Sequence, residues 1–273
     1  MSEDLAQLDD VRTQLVLEPL RWALEAVRWS KPYEVIVLEQ VPAVFPIWIE
    51  IGKILESYGY KALPQLLETE RFGIPQTRRR AILIARLGGA PIPLRPTHRK
   101  YRKGFGPSPE EVDLPTWKSM GEALGRKDEF VVVSNYGTGG VPEARGERRH
   151  DEPAFTVTGK VSRNRFTING QHVRNLTIDD AGILQTFPSD FPWSGKDIAQ
   201  QIGNAIPPRL AAHVLCTAVF GHQPDRDALD RAVSGSWSDT APGVPELTSR
   251  RQTTTDDAAA LFPVEALGAS VAV

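Results

Sequence analysis

Residues 33–42 read YEVIVLEQVP, and residues 81–86 read AILIAR. Both are short, β-branched and almost continuously apolar at their centres, the profile of strands buried on both faces. Between them, 47–59 (IWIEIGKILESYG) has the spacing of an amphipathic helix closed by Gly59, and 61–68 (KALPQLLE) reads as an irregular strand. Strand, helix and strand in alternation predict an α/β layer with a parallel sheet. Toward the N-terminus, 9–30 (DDVRTQLVLEPLRWALEAVRWS) carries Leu15, Leu20, Ala23, Leu24 and Val27 at helical spacing. Lys31-Pro32 then breaks the helix, because proline has no N–H to donate.

The character changes after Arg86. Residues 87–116 are rich in Pro, Gly and basic groups and show no sustained periodicity. FVVVS (130–134) and FTVTG (155–159) read as short strands with a polar loop between them. This is the pattern of a small, mainly β module inserted into the α/β layer. Helical pattern returns at 177–186 (TIDDAGILQT) and 206–220 (IPPRLAAHVLCTAVF), and Thr177 with Asp180 makes a start like a capping box. Residues 222–273 are rich in Ser, Thr, Asp and Ala and are expected to form a flexible tail. Four divisions follow: 1–86, 87–172, 173–221 and 222–273.

The chain has 273 residues, 24% charged and 41% hydrophobic, which suits a soluble globular protein of one or two domains. No run approaches the ~18–20 apolar residues of a membrane span. The acidic start MSEDLAQLDD lacks the basic-then-apolar order of a secretory signal. A single cysteine, Cys216, excludes a disulfide framework and a Cys-rich metal site, so no metal is expected, and it fits a reducing compartment such as the cytoplasm. The net charge of −2 hides an asymmetry. From Arg71 to Arg174 there are 20 basic and 10 acidic residues, against 12 and 24 in the remainder. A basic middle between acidic ends points to a polyanion partner.

Several residues carry candidate chemistry. Glu39 ends the first strand, where a carboxylate at a strand tip ordinarily faces solvent. QTRRR (76–80), if extended, puts Gln76, Arg78 and Arg80 on one side and Thr77 and Arg79 on the other. Arginine gives bidentate hydrogen bonds to phosphate or to a base carbonyl. RPTHRKYRK (95–103) interleaves Arg99, Lys100, Arg102 and Lys103 with aromatic rings, which suits phosphate binding. FTVTGKVSRNR (155–165) offers Thr158, Lys160, Arg163 and Arg165 on a strand and loop shaped to enter a groove. SNYGTGG (134–140) looks like a dinucleotide-binding turn, but VPEARGERR follows it instead of an apolar helix, and that excludes the reading.

Four segments in order, LEQVP (38–42), FGIPQTRRRAILIA (72–85), RNLTIDDAGILQTFPSDF (174–191) and QQIGNAIPP (200–208), resemble motifs VI, VIII, IX and X of the DNA (cytosine-5) methyltransferases. The helix with Asp10, Arg12 and Leu15 is similar to motif V, and the resemblance covers about 9–221. It implies part of a Rossmann-like methyltransferase sheet with a target-recognition region at 87–172. It implies methyl transfer from S-adenosylmethionine to cytosine C5 in double-stranded DNA. Glu39 would act on N3 of a flipped cytosine, Arg80 would hold its O2 edge, and Arg78 would lie near the phosphates. Gln76 and Arg79 would contact DNA, and Asn204 with Ala205 would close one side of the cofactor pocket. Gln40 stands where the family has Asn. The family's Phe-x-Gly-x-Gly cofactor turn and Pro-Cys loop are absent, and Cys216, in an apolar helix, is no substitute. The expectation is a C-terminal subunit of a split enzyme, inactive alone, whose partner polypeptide supplies both elements. The alternatives are an inactive truncated remnant and a sequence-specific DNA-binding module.

Overall fold

The computed structural model describes residues 11–134 and 145–240. Helix α1 (Val11–Arg28) leads into strand β1 (Val35–Gln40), helix α2 (Phe45–Glu56), strand β2 (Tyr60–Glu68) and strand β3 (Arg79–Leu87). Each apolar stretch forms its predicted element, but the sheet is not a run of parallel neighbours. Its order is β1-β3-β2, with β3 antiparallel to both flanking strands. Strands β1 and β2 run in the same direction across the α2 crossover, and β3 fills the gap between them. Composition explains the order. Ala81 to Ala85 are wholly buried, as a central strand requires. Pro64 in β2 has no N–H for a second ladder, so β2 belongs at an edge.

The two faces of β3 feed two cores. Ala81, Leu83 and Ala85 pack with Ala23 of α1 and Trp48, Ile51 and Leu55 of α2. Ile82 and Ile84 pack with Leu67 on the opposite face, against Leu210, Val214 and Ala218 from the C-terminal segment. The residues of β1 are only half-buried. The sequence pattern predicts burial on both faces. The difference arises because, among the described residues, no strand pairs with the outer edge of β1. On α1, Ala23 and Ala26 are buried, whereas Leu15 is 66% exposed and Trp22 is also exposed.

After the one-turn helix α3 (Met120–Ala123), a second sheet forms from β4 (Val131–Val133), β5 (Glu147–Arg149), β6 (Arg165–Ile168) and β7 (Gln171–Asn175), in the order β5-β4-β6-β7. Its core joins Phe130, Val132 and Phe166 to Leu176, Ala181, Leu184 and Ile202. Helices α4 (Ile178–Leu184) and α5 (Ile198–Asn204) thus lie on the small sheet. Helix α6 (Pro208–Leu215) and the π turn Cys216–Phe220 lie on the first sheet. The return from module to α/β layer therefore occurs between α5 and α6, later than residue 173. Thr177 and Asp180 make the predicted capping box.

Three expectations change. FTVTG (155–159) is not a strand, because its backbone serves buried side chains described below. The polar loop between the two expected strands contains β5; residues 135–144, with most of SNYGTGG, lie outside the described residues. The expected tail begins with helix α7 (Arg226–Ser234), capped by Asp225, with Leu229 buried and Asp230 2.5 Å from Arg209. Residues 241–273 lie outside the described residues. The chain divides into a unit Met1–Trp237 and a unit Ser238–Val273, of which 238–240 are described as part of a helical turn.

Truncating a central side chain tests this layout. Leu83→Ala is expected to cost about 2–5 kcal/mol, since the site is closed on all sides. Leu15→Ser should stay within about 0.5 kcal/mol. Urea unfolding of the full chain reads both.

Candidate functional site

Antiparallel register places Glu39 opposite Ile82, which makes Arg80 its diagonal neighbour on the same face. Nε of Arg80 lies 2.7 Å from Oε1 of Glu39, forming an ion pair. Burial pushes the Glu39 carboxyl above its ordinary range, against the opposing pull of Arg80 and Arg78. Burial pushes the Arg80 guanidinium down, and Glu39 partly restores it. Nη1 of Arg80 donates to the Arg79 carbonyl at 2.8 Å. Gln40 turns its longer amide back on the chain, where Oε1 accepts from the Val41 N–H at 2.8 Å.

The other two residues on that side of QTRRR lie far from solvent. Gln76 and Arg78 are at most 1% exposed. Arg78 donates to the Val157 carbonyl and the Gly203 carbonyl at 2.7 Å each, and to the Ala205 carbonyl at 3.4 Å. Gln76 accepts from the Val157 N–H at 2.9 Å and donates to Leu184 O and to Oε1 of Gln185. Gln185 donates to the Ile202 carbonyl at 2.6 Å. A Cβ on Gly203 would stand 2.4 Å from the Gly159 nitrogen, so only glycine permits this approach. The predicted DNA contacts of Gln76 and Arg78 are therefore corrected. Both side chains join three segments of the chain and offer nothing to a phosphate.

Asn204 is exposed at the end of α5 and accepts from Gln200 at 2.8 Å. The Ala205 carbonyl turns inward to Arg78 and Gln185 at 3.4 Å each. The basic run 95–103 is also corrected in part. Arg99 donates to the carbonyls of Glu111 and Val112, Lys100 pairs with Glu68 at 2.6 Å and Arg102 with Glu111 at 2.6 Å. Their charge braces the loop, and Arg102 holds the Glu111 carboxyl near 2 against its burial. Lys103 and Arg79 remain exposed. Thr158 accepts from the Lys160 N–H at 3.2 Å. Lys160, Arg163 and Arg165 are exposed as expected, the two arginines lining a shallow cleft of about 330 Å³ with His172 and Asn175.

A larger cleft, about 600 Å³, opens beside the Arg80 end of β3 and is lined by Glu70, Arg79, Tyr101, Lys103 and Arg148 among others. Glu70, Arg148, His172 and Gln185 escaped the sequence reading. Each sits in a segment without periodic pattern or serves a partner distant in sequence. Burial pushes the Glu70 carboxyl from 4.5 up to about 7, and its Oε2 has no hydrogen-bond partner.

Residues 119–218 match the family model for C-5 cytosine-specific DNA methylases. Through this segment the chain is similar to that family. The type II methyltransferase M1.HphI of Haemophilus parahaemolyticus is 31% identical over 230 residues, covering 74% of this chain and 60% of the relative. M.BbvI of Brevibacillus brevis is 32% identical over 185 residues, covering 58% and 49%. This chain thus spans about half to three-fifths of the length of the curated relatives it matches. The S. pombe Dnmt2 methyltransferase structure aligns with a TM-score of 0.50 at 16% identity, covering 78% of this chain and 72% of that one, so the fold is that of a methyltransferase. The matched segment includes Gln185 and Gly203, two members of the buried polar knot.

Two stability predictions follow from this geometry. Arg78→Met strands the carbonyls of Val157 and Gly203, and hydrogen bonds from a charged donor are worth about 1.5–3 kcal/mol each. A loss of about 3–5 kcal/mol is expected in chemical denaturation, and Arg78→Lys should not restore it, since one ammonium lacks the guanidinium fork. At Glu70 the folded state holds its proton more tightly than the unfolded chain. The stability this supplies is complete below 4.5 and is lost as pH rises through about 7. Glu70→Gln should therefore gain on the wild type in thermal midpoint from pH 5 to pH 8; parallel curves would show that Glu70 does not titrate in this range.

Proposed function

We propose that this chain is the C-terminal part of a DNA (cytosine-5) methyltransferase that methylates cytosine C5 in duplex DNA and works in the cytoplasm. The carrying observation is the half-buried Glu39–Arg80 pair at the tip of β1. A raised carboxyl keeps more of the proton that N3 of cytosine needs as a nucleophile adds to C6. Arg80 retains N–H donors beyond those used on Glu39 and Arg79, and these suit the O2 of the same base. The base must leave the helical stack to reach either group.

S-adenosylmethionine supplies the methyl group. Of the two residues expected to touch it, Asn204 fits, being exposed with its Nδ2 donor unengaged among the described residues, whereas the Ala205 carbonyl does not. The cofactor turn and the cysteine nucleophile are assigned to a second polypeptide. The unpaired outer edge of β1 and the cleft of about 360 Å³ beside it, lined by Leu15, Pro19, Trp48 and Glu39, support that assignment. Cys216 sits half-buried at the start of the π turn, and no role in chemistry is assigned to it.

Tritiated methyl transfer tests the reading, with the chain co-expressed with a polypeptide carrying a Phe-x-Gly-x-Gly turn and a Pro-Cys loop. Glu39→Gln should keep duplex binding and lose about 10²–10⁴-fold in turnover. Arg80→Ala should also lower turnover, and Cys216→Ser should leave it intact. Transfer by the chain alone, or full turnover in Glu39→Gln, would overturn the proposal.

A further inference from the structure

We infer that Arg148, Arg79 and Lys103 form a seat for a phosphodiester group of DNA, in the cleft between the start of β3 and the edge strand β5. The inference rests on the DNA reading above and names a site within it. The basic middle of the chain contains many cations, and the structure separates those already neutralised from those that are not. Arg71 and Arg102 pair with Glu111, and Lys100 pairs with Glu68. Arg78 is buried on carbonyls, and Arg80 is paired with Glu39. Arg79 and Lys103 line the cleft, and neither side chain makes a hydrogen bond or ion pair among the described residues.

Arg148 completes the set. Its guanidinium carbon lies 4.6 Å from the Tyr101 ring centroid and 4.8 Å from that of Phe155. Nη1 donates to the Tyr101 hydroxyl at 3.2 Å, and that hydroxyl donates to Oε1 of Glu152 at 2.5 Å. The two rings and the hydroxyl fix the guanidinium before any ligand arrives, so little side-chain freedom is lost on binding. Its Nε is buried with no partner. The nearby threonines are not donors to the cleft, since Thr77 donates to the Ala154 carbonyl and Thr156 to the Thr77 carbonyl. The negative charge is reduced too. Lys100 neutralises Glu68, and burial keeps the Glu70 carboxyl pushed up to about 7. Two unengaged cations and one preset planar fork, all around one cleft, match a phosphodiester.

The test is duplex binding by the full chain across a salt series, on two unrelated sequences. Arg148→Gln should weaken both duplexes alike, roughly tenfold near 0.1 M salt, and lower the slope of log affinity against log salt by about one. Arg148→Lys should restore the slope but not the full affinity, because the ammonium loses the stacked fork. Lys103→Gln and Arg79→Gln are exposed changes that cannot act through unfolding, and each should also lower the slope. Unchanged slopes in all three Gln variants, with normal wild-type binding, would overturn the seat and leave the DNA reading standing. A wild type that binds neither duplex at any salt would overturn both. Calorimetry with inorganic phosphate separates the two sources of the group. A loss of phosphate binding in Arg148→Gln without any loss of duplex binding would overturn the assignment to DNA.

Discussion

Arg78 is a cation enclosed by protein, and its charge is solvated by carbonyl oxygens and not by a carboxylate. A charge in such a place is tolerable only if its donors find acceptors of good geometry. The carbonyls of Val157 and Gly203 provide them, and they come from segments separated by more than forty residues. Gln76 and Gln185 satisfy one another and further backbone groups of the same knot, while Nε of Arg78 stays buried without a hydrogen-bond partner. The first sheet, the small sheet and the α5 turn are thereby held in one arrangement. The close passage of Gly203 over Thr158 and Gly159 makes that arrangement specific.

This constraint also positions the chemistry. Arg78 and Arg80 alternate along the extended run that enters β3, so fixing the first inward directs the second to the same side, two residues nearer the tip of β1. Arg80 then meets Glu39 across the ladder. One residue type within three positions serves two opposite ends: a fully enclosed structural cation and a partly accessible one. Arg79, on the other side of the run, is left exposed toward the larger cleft. Three successive arginines thus supply a buried brace, a half-buried ion pair and an exposed cation through the alternation of an extended chain.

Charge in and next to residues 87–172 follows a similar division. Glu68 and Glu111 gather Arg71, Lys100 and Arg102 into a braced loop, so most of the basic character of 95–103 is internal. Aromatic rings do comparable work elsewhere in the module. Arg126 and Arg174 both lie over Phe166, within 4.9 and 4.6 Å of its centroid. Surface charge read from sequence therefore overstates what is free to meet a polyanion.

The sequence by itself determined the elements that depend on local pattern. The apolar runs at 33–39 and 81–86, the helix after LEQVP and the Thr177–Asp180 cap all form where their spacing places them, because burial periodicity and capping are properties of neighbouring residues. It also determined that Glu39 and Arg80 belong together, through ordered motifs. Tertiary structure alone decided the rest. The central place of β3 follows from pairing on both its edges; Pro64 marks β2 as an edge strand, but no local pattern says which strand lies beside it. The inward turn of Gln76 and Arg78, the partners of Lys100 and Arg102, and the clamp on Arg148 depend on groups tens of residues away. A hydrogen-bond donor is the same residue whether it meets a phosphate or a carbonyl, and only the folded chain settles which acceptor lies within reach.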